Sequence, residues 1–535
     1  MRRNLTSNLH LCIISLAILA GLIVIGDRFT TPAAAQTALS DQQKRGKQIY
    51  IRGASANGKE ILAYVGESSL EVPGSAMPCA NCHALDGLGK PEGGINPSNL
   101  TWEALTKPYK VTESGGRERG PYSERALQLA IARGVDPSGH KLLNVMPRYQ
   151  MSPQDMSDLL AYLKLLGHDR DPGLTENSIT VGTVLPGSTE LSGLGAAVKA
   201  VLTAYCAEVN NRGGIYNRKL DLRFVQTGDT PAATVANVKR FIQDDQVFVI
   251  TGAFAAGADR EFAALMNDSE VPSVGPFTLF PQIGHPLNRQ VFYLLSGMNE
   301  QARALVNFAV NRNSGKKDGA LIVYPETDIG RGAMQVARDQ CVASGFGPIE
   351  VSSYSNATFD AAALAAKLKQ TSKNVVFFFG NGREQLAFMV EADKLRWSPD
   401  VYGFAANELF DAPASFSQRV FMSFPTAPVD QTAEGIAEFR ALAAKYQLPS
   451  DHLAVQVSAY ASAKILVEGL KKAGKDLSRE KLIQALEGLY EYPTGLTPPV
   501  TYGPNRRIGA MGAYIVGIDL EKKQYVPVSG WSKIN

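Results

Sequence analysis

The residues Cys79-Ala80-Asn81-Cys82-His83 constrain this chain of 535 residues more than any other stretch. Two cysteines separated by two residues and followed at once by a histidine form the pattern for covalent attachment of a c-type haem. The spacing lets one turn of chain carry both thiols to the porphyrin and then places an imidazole beneath the ring, where it can bind iron. The sequence therefore predicts one haem c, held covalently by Cys79 and Cys82, with His83 as an axial ligand.

A pair of cysteines at this spacing has two other common uses, a zinc site and a redox-active dithiol. A zinc site needs a second Cys/His pair, and none lies at the usual spacing in this sequence. A thioredoxin-like dithiol needs a βαβ setting, whereas the residues around Cys79 are loop-like and rich in glycine. The haem interpretation is therefore favoured over both.

The residues around this motif follow a recognisable order. Helices are predicted over residues 42–50, 123–133 and 152–166. Pro97 lies in the loop beyond the motif, and Met146-Pro147 lies just before the last helix. In this order of features, residues 36–170 resemble the class I c-type cytochromes. The resemblance implies an all-α cytochrome c domain whose function is electron transfer.

The second axial ligand of the iron has to come from elsewhere in the domain, and the resemblance implies Met146. A thioether favours ferrous iron and raises the reduction potential, which suits electron transfer. Met151 and His140 are the rival ligands, and packing in a core is the alternative role of Met146. With both axial positions filled, haem-based catalysis on a small molecule is not expected, and the chain is not predicted to be an enzyme.

The N-terminal residues predict the compartment. Two arginines precede an apolar run over residues 9–25, and three alanines follow at residues 33–35. This layout is typical of a secretory signal peptide, here residues 1–35, with cleavage after the alanines. Because the apolar run is long, an uncleaved N-terminal anchor facing the periplasm is the alternative. An exported chain with a covalent haem is expected in the bacterial periplasm.

Charge and the remaining cysteines limit the other possibilities. The net charge is only +3, and no basic run is interleaved with aromatic residues, so a nucleic-acid partner is not expected. Cys12 lies in the predicted signal peptide. Cys206 and Cys341 each lie in a helix-like apolar pattern and are interpreted as two separate buried thiols rather than a disulfide.

The pattern changes after residue 177. Residues 171–177 are interpreted as part of a polar, turn-rich linker. Hydrophobic, β-branched runs then alternate with amphipathic helical stretches, beginning with residues 178–185, 196–209, 219–226 and 232–243. Strands that alternate with helices predict parallel sheets built from βαβ units. Roughly 350 residues of this pattern exceed the usual size of one core, so two lobes are predicted.

Several short segments of this region carry a second resemblance. In chain order they are residues 179–182 (ITVG), 210–215 (NNRGGI), 252–257 (GAFAAG), 324–332 (YPETDIGRG) and 514–517 (YIVG). As an ordered set they resemble the type I periplasmic solute-binding proteins, in particular the leucine/isoleucine/valine-binding family of ABC importers. The resemblance implies that residues 178–535 form two Rossmann-like lobes, with chain crossings near residues 298 and 423, that close on a small solute.

The solute cleft can be predicted from the direction of the strands. In open parallel sheets, ligands lie beyond the carboxyl ends of the strands and close to helix N-termini. The loops at those ends supply the candidate solute-binding residues, which are Ser188, Thr189, Ala255, Ala256, Phe277, Thr278, Asp328, Ile329, Asn381, Arg383 and Asn407.

The sequence departs from the amino-acid-binding members of the family at three of these places. Those proteins typically carry a hydroxyl residue where this chain has Ala255 and Ala256, an aromatic residue at Ile329 and an acidic residue near Ala405. The usual clamp for an amino acid is therefore incomplete, and a branched-chain amino acid is not expected. Aromatic side chains in the same loops suggest a less polar solute, although core packing is the alternative role for each.

Two functions fit these predictions. The first is a periplasmic electron-transfer cytochrome fused to a solute-binding module, which serves a periplasmic oxidation pathway with a dehydrogenase or oxidase chain as redox partner. The second is the substrate-binding component of an ABC importer, which delivers an amino-acid-like or other small organic solute to a permease and carries a regulatory or sensory haem.

Overall fold

The computed structural model describes residues 39–534, apart from residues 90, 114 and 314–318. The chain separates into two compact units, Met1–Arg170 and Asp171–Asn535. The predicted signal peptide, residues 1–35, lies outside the described residues. Within the part of the chain that is described, no helix is both long enough and apolar enough to cross a membrane.

The first unit is built around a small bundle of helices. These helices are α1 (Asp41–Arg52), α2 (Cys79–His83), α3 (Trp102–Leu105), α4 (Glu124–Arg133) and α5 (Pro153–Leu163). Helix α1 starts at a capping box formed by Ser40 and Gln43, and α5 starts at an N-cap serine, Ser152, followed by proline. Their buried faces share one core, in which Tyr50 and Tyr162 are almost fully buried.

Helices α1 and α5 pack at very close range. A Cβ atom added to Gly46 of α1 would lie 2.0 Å from the backbone oxygen of Asp158 in α5. Next to this contact, the Arg45 guanidinium donates to both carboxylate oxygens of Asp158, at 2.7 and 3.0 Å. The absence of a side chain at Gly46 therefore sets the separation of the two helices.

The first unit also contains strands, which the all-α expectation lacked. They are β1 (Leu62–Val65), β2 (Leu70–Pro73), β3 (Val111–Thr112), β4 (Glu118–Arg119) and β5 (Arg148–Gln150). The strands β2, β1 and β5 form an antiparallel sheet in that order, and β3 pairs with β4. The strands are two to four residues long, too short to show the alternation of apolar and polar residues by which a strand is predicted.

The second unit begins with a set of βαβ elements that build a first lobe. These elements are β6 (Ser178–Leu185), α6 (Ser192–Asn211), β7 (Lys219–Gln226), α7 (Pro231–Asp244), β8 (Val249–Thr251), α8 (Asp259–Asp268), β9 (Ser273–Val274) and β10 (Val291–Leu295). Residues 171–177, predicted as a linker, pack against this lobe. Leu174 lies in its core, and the Asp171 carboxylate accepts a hydrogen bond of 2.6 Å from the backbone N–H of Arg479.

The chain then builds a second lobe. Its elements are α9 (Met298–Arg312), β11 (Ala320–Pro325), α10 (Asp328–Ala343), β12 (Ile349–Tyr354), α11 (Ala361–Lys369), β13 (Val375–Phe378), α12 (Gly382–Lys394), β14 (Asp400–Phe404) and β15 (Val420–Phe424). The strands β12, β11, β13, β14 and β15 are mutually parallel in that order. Apolar clusters cover both faces of this sheet, as expected for parallel strands.

The last part of the chain returns to the first lobe and ends in the second. Helices α13 (Ala433–Tyr446), α14 (Leu453–Ala473) and α15 (Arg479–Glu487) pack in the first-lobe core, and β16 (Ile508–Ala510) completes its parallel sheet, in the order β16-β10-β9-β8-β6-β7. The strands β17 (Gly512–Asp519), β18 (Gln524–Pro527) and β19 (Ser532–Lys533) extend the second sheet by antiparallel pairing.

The chain therefore passes between the lobes at three places. The first crossing lies between β10 and α9, the second between β15 and α13, and the third at Met511 between β16 and β17. The third crossing was not among the predicted ones. The Ser296 hydroxyl joins the first crossing to the third, because it donates to the Ala510 carbonyl at 3.3 Å and accepts from the Gly512 N–H at 2.8 Å.

Candidate functional site

The short helix α2 positions the residues of the C-x-x-C-H motif. It starts directly after Pro78, whose extended backbone turns the chain into the helix, and it ends at His83. The Nδ1 of His83 lies 2.9 Å from the backbone carbonyl oxygen of Ser98. Since a carbonyl can only accept, Nδ1 carries the proton, and Nε2 is the nitrogen that remains free for a metal.

Burial shifts the pKa values of His83 and Cys79. It lowers the pKa of His83, so the imidazole is held neutral, in the form that binds a metal. Burial also raises the pKa of the Cys79 thiol to about 12, so this side chain is a neutral thiol at neutral pH. In the described part of the chain, no group of three or more His, Cys, Asp and Glu side chains could hold a metal ion.

The motif opens onto a cavity of about 450 Å³ inside the first unit. Cys79, Cys82 and His83 lie on its wall, and Met146 lies on the wall of the same cavity. Most of the other lining side chains are apolar, and they include residues of α4, of α5, of the loop before α3 and of the segment around Met146. The structure thus brings together the four residues that the sequence predicts for haem binding.

The three candidates for the second axial ligand are placed differently. Met146 lines the cavity, whereas neither Met151 nor His140 is among its lining residues. Met151 packs at the edge of the helical core. The His140 side chain is 54% exposed, and its Nδ1 lies 3.4 Å from the Asp136 carboxylate. Of the three candidates, only Met146 lies on the same cavity as His83.

The loop that carries Met146 is held by an arginine that was not predicted from the sequence. The Arg148 guanidinium donates to the backbone oxygens of Met146, Leu142 and Leu143, the last two at 2.9 and 3.3 Å. It lies against Gly134, where an added Cβ would come within 1.9 Å of Arg148 Nε. No local pattern signals this role, because the arginine binds backbone groups whose positions depend on the folded loop.

These observations fit a haem. The cavity is mostly apolar, both cysteines lie on its wall, and His83 presents a neutral ring with Nε2 free. A soft sulfur ligand lies on the same cavity in Met146. If a haem is bound here, Cys79 and Cys82 are the residues that would hold it covalently, and His83 and Met146 are the residues that would bind its iron.

The candidate solute-binding residues of the first lobe lie in loops at the carboxyl ends of β6, β8 and β9. Ser188 and Thr189 are exposed at the start of the loop between β6 and α6. Ala255 is buried and Ala256 is half-buried, in the loop between β8 and α8. Phe277 is half-buried, and its backbone bridges to that of Phe254, which extends the parallel pairing of β8 and β9.

Thr278, predicted from the sequence as a candidate solute-binding residue, already makes hydrogen bonds within the chain. Its hydroxyl donates to the carboxylate of Asp259, the first residue of α8, and its oxygen accepts from the Phe280 N–H at 3.0 Å. The same carboxylate accepts from the Gly257 N–H at 3.0 Å. Asp259 was not predicted from the sequence, because an acidic residue in the first turn of a helix is too common to mark it as special.

The candidates of the second lobe lie at the carboxyl ends of β11, β13 and β14. Asp328 is fully exposed and pairs with Arg331 at 2.7 Å, and Ile329 beside it is 41% exposed. Asn381 caps α12 through a capping box with Glu384, so its side-chain oxygen is occupied. Arg383 is exposed in the first turn of α12. Asn407 begins a short 3₁₀ helix, Asn407–Asp411.

Large apolar side chains are exposed at these same strand ends. Leu191 follows β6, Leu279 follows β9 and Ile329 follows β11, and their exposed fractions are 37%, 46% and 41%. Phe254, in the loop after β8, and Phe277, in the loop after β9, are half-buried. The loops at the carboxyl ends of the strands are therefore partly apolar in both lobes.

Comparison with family models divides the chain in the same way as the structure. Residues 178–524 match the model of the periplasmic binding protein family, and residues 55–167 match the model of cytochrome c. Both resemblances predicted from the sequence are thereby confirmed, as is the combination of a cytochrome c domain with an α/β binding-protein fold.

Individual relatives match the second unit. The Leu/Ile/Val-binding protein BraC3 of Rhizobium johnstonii is 23% identical over 332 residues, which cover 62% of this chain and 89% of that protein. The Leu/Ile/Val-binding protein homolog 3 of Brucella melitensis biotype 1 is 22% identical over 313 residues, which cover 58% of this chain and 83% of that protein.

Solved structures share the fold of this unit. A fatty acid ABC transporter substrate-binding protein from Thermomonospora curvata superposes with a TM-score of 0.53 at 20% identity, covering 69% of this chain and 95% of that chain. A branched chain amino acid ABC transporter from Thermus thermophilus with bound valine superposes with a TM-score of 0.53 at 18% identity, covering 67% and 97%. At these identities the likeness is one of fold alone.

Proposed function

The chain belongs to the periplasmic binding protein family and carries a cytochrome c domain, and from that premise we propose that it is a periplasmic electron-transfer cytochrome fused to a solute-binding module. The observation that carries the proposal is the cavity of the first unit, which has Cys79, Cys82, His83 and Met146 on its wall. A haem held by these residues supplies a one-electron iron couple.

The ligand set favours electron transfer over catalysis. If His83 and Met146 take both axial positions, no position on the iron is left for a small-molecule substrate. The hydrogen bond from His83 to Ser98 fixes the orientation of the ring, and the hydrogen bonds from Arg148 hold the loop of the second ligand. One-electron transfer requires little change in the geometry around the iron, so ligands held in fixed positions suit it.

The second unit would bind a small organic solute between the loops at the carboxyl ends of its strands. The family of the second unit supports a periplasmic location, and export would depend on residues 1–35. A dehydrogenase or oxidase chain of the periplasm would be the redox partner. Fusion in one chain keeps the two modules at a high effective concentration with respect to each other.

A role in import is the second candidate. Membership of the binding-protein family favours it, and the relatives in Rhizobium and Brucella are named as Leu/Ile/Val-binding proteins. In this case the solute would pass to an ABC permease, and the haem would have a regulatory or sensory role. The two candidates differ in whether the haem exchanges electrons with a partner during normal function.

Haem attachment is tested first. The purified protein should keep its haem in a denaturing gel stained for haem peroxidase activity, and the double variant Cys79→Ala, Cys82→Ala should lose it. Cys206→Ser, which changes a buried thiol of the first-lobe core, is the matched control and should keep the stain. A wild-type protein without covalently bound haem would contradict the proposal.

Electron transfer is tested with the reduced protein. Stopped-flow absorbance should show rapid reoxidation by an oxidised soluble cytochrome c, and failure of any such acceptor to oxidise the protein would contradict the electron-transfer role. A thermal-shift screen of small organic solutes tests the binding module, because a bound solute raises the melting temperature. Redox titration with and without a solute found in this way then separates the candidates, since a sensory haem requires that the potential shifts.

A further inference from the structure

We infer that the Tyr50 hydroxyl positions the axial ligand His83, because it holds the backbone of the next residue, Ala84, in a strained conformation. This role deepens the proposed function and rests on it, since His83 is an iron ligand only when haem is bound. Tyr50 is thereby a positioning residue, which acts on His83 through Ala84 and does not itself bind the iron.

Ala84 has a backbone conformation that an L-residue rarely adopts. Its φ is 60° and its ψ is 171°, a combination that is populated almost only by glycine. Two other non-glycine residues beside helix ends, Gln447 and His452, also have positive φ, but their ψ values of 51° and 36° lie in the better tolerated left-handed helical region. The conformation of Ala84 is therefore strained and has to be held by its surroundings.

A contact from helix α1 holds Ala84 in place. The Tyr50 hydroxyl donates a hydrogen bond of 2.7 Å to the Ala84 carbonyl oxygen, to which the Gly87 N–H donates at the longer distance of 3.4 Å. Tyr50 is fully buried, and its ring centroid lies 5.7 Å from that of Tyr162 in α5. Burial raises the pKa of Tyr50, so the hydroxyl keeps its proton and remains a donor.

The conformation of Ala84 matters for the iron ligand, because the loop that orients His83 begins there. Helix α2 ends at His83, whose carbonyl oxygen accepts from the Gly89 N–H at 3.0 Å. The loop then returns and places the Ser98 carbonyl oxygen 2.9 Å from Nδ1 of His83. If Ala84 relaxed, the chain would leave α2 in another direction, and the contact that fixes the imidazole would be disturbed.

The haem cavity places Tyr50 beside the group that it positions. Tyr50 and His83 both lie on the wall of this cavity, together with Cys82. A change at the Tyr50 hydroxyl therefore acts directly next to the covalent attachment site, and the magnetic environment of a bound haem can report it.

Two substitutions separate the hydroxyl from the strain. Tyr50→Phe keeps the buried ring and removes the donor, whereas Ala84→Gly removes the Cβ atom that makes the conformation unfavourable. Proton NMR of the oxidised full-length holoprotein measures the effect, because ferric iron shifts the haem-methyl and His83 resonances by amounts that depend on the orientation of the axial ligands. Tyr50→Phe should shift these resonances, and Ala84→Gly should leave them at their wild-type positions.

The double variant Tyr50→Phe, Ala84→Gly distinguishes positioning from a purely structural role. Glycine adopts the conformation without help, so the double variant should regain the wild-type resonances. A tyrosine hydroxyl that only satisfied the core would give the same shifts with alanine or glycine at position 84. Tyr162→Phe is the matched control, because it removes a hydroxyl that donates to Asp169 at 3.0 Å, and it should leave the resonances unchanged.

The role of Tyr50 is overturned if Tyr50→Phe keeps the wild-type resonances, or if the double variant is shifted as far as Tyr50→Phe. Should Tyr50→Phe fail to fold or to attach haem, wild-type resonances in the double variant support the role, and failure of the double variant as well overturns it. A wild-type protein without covalent haem contradicts the proposed function itself, whereas haem-bearing variants with unaltered resonances contradict only the role of Tyr50.

Discussion

The Nδ1 of His83 lies 2.9 Å from the backbone carbonyl oxygen of Ser98, a residue 15 positions further along the chain. The loop from His83 to Ser98 therefore brings a backbone carbonyl to the imidazole, and this carbonyl fixes the orientation of the ring. Burial lowers the pKa of His83, and the hydrogen bond from Nδ1–H to this carbonyl partly offsets that effect. Burial keeps the ring neutral, and the hydrogen bond at Nδ1 leaves Nε2 as the metal-binding nitrogen.

Replacement of Met146 by alanine should remove the second axial ligand. We expect loss of the weak sulfur-to-iron band at the red end of the oxidised spectrum. We also expect a reduction potential lower by on the order of 0.1 V, a fraction of the roughly 0.8 V over which axial ligands tune haem proteins. Absorption spectroscopy and a spectroelectrochemical titration measure the two effects.

Met151→Leu and His140→Gln are the matched controls for this prediction. Met151 packs at the edge of the core and His140 is largely exposed, and neither lines the cavity. Both variants should keep the red band and the wild-type potential. If Met151→Leu abolishes the band while Met146→Ala keeps it, or if the oxidised wild type lacks the band, the assignment of Met146 is wrong.

Arg148→Gln should loosen the loop that carries Met146. The wild-type guanidinium binds the carbonyls of Met146, Leu142 and Leu143, and a glutamine amide is too short and has too few donors to replace it. We expect the first unit to lose about 2–3 kcal/mol of stability, since hydrogen bonds to charged groups contribute roughly 1.5–3 kcal/mol each and the loop can partly relax. Chemical denaturation followed by haem absorbance measures this loss.

The red absorption band distinguishes a positioning role of Arg148 from a purely structural one. Under conditions in which Arg148→Gln is fully folded, the band should be weaker than in the wild type, because the thioether is held less firmly. Arg133→Gln, at an exposed arginine in the last turn of α4, should change neither stability nor band. An unaltered band in folded Arg148→Gln would contradict the positioning role.

The regular parts of the second unit could be predicted closely. The predicted strands over residues 178–185 and 219–226 have the same bounds in the structure, and the predicted helix over residues 232–243 differs from α7 by one residue at each end. Buried parallel strands are runs of β-branched and apolar residues, and these helices have apolar faces with turn residues at their ends. Such information is local, so a single sequence carries it.

The contacts that shape the two candidate sites could not be predicted in the same way. Asp259 meets Thr278, 19 residues away, and Arg148 binds the backbone of its own loop. Neither contact leaves a periodic pattern, because each depends on how a loop folds back on the chain. The motif Cys79–His83 could be recognised in the sequence, because its chemistry needs those residue types at a fixed short spacing.

Gly46→Ala should destabilise the first unit. The added methyl group would lie 2.0 Å from the backbone oxygen of Asp158, and backbone cannot move aside as a flexible side chain can. We expect a loss of about 1–3 kcal/mol, the usual cost of overpacking, measured by denaturant unfolding of the holoprotein. Gly120→Ala is the matched control, because a Cβ at Gly120 meets no atom within 4 Å. Equal stability of the two variants would contradict close packing of α1 on α5.

Glu300, which lies just after the first crossing between the lobes, should make the second unit sensitive to pH. Its side chain is only 2% exposed, and its carboxylate accepts from the Gly297 N–H at 3.0 Å. Burial raises the pKa of Glu300, and its hydrogen bonds from backbone N–H groups and the nearby charge of Arg303 offset this only in part. The folded protein therefore keeps the proton to a higher pH than the unfolded chain does.

The sign of the effect follows from this difference in proton binding. Below the pKa of a glutamate in the unfolded chain, which is about 4.3, the Glu300 carboxyl is neutral in both states and does not lower stability. As the pH rises from there through the raised pKa of the folded state, the unfolded chain releases its proton first, so stability is lost. Glu300→Gln cannot ionise, and its amide oxygen can still accept from Gly297.

Glu300→Gln should therefore melt at a higher temperature than the wild type at pH 7, and the two should melt together near pH 4. Differential scanning calorimetry of the holoprotein across this range measures the difference. Glu434→Gln, in the first turn of α13, is the control, because Glu434 is exposed and should give no pH-dependent difference. If Glu300→Gln melts below the wild type at pH 7 but not at pH 4, the ionised carboxylate stabilises the crossing, and burial is not the dominant effect.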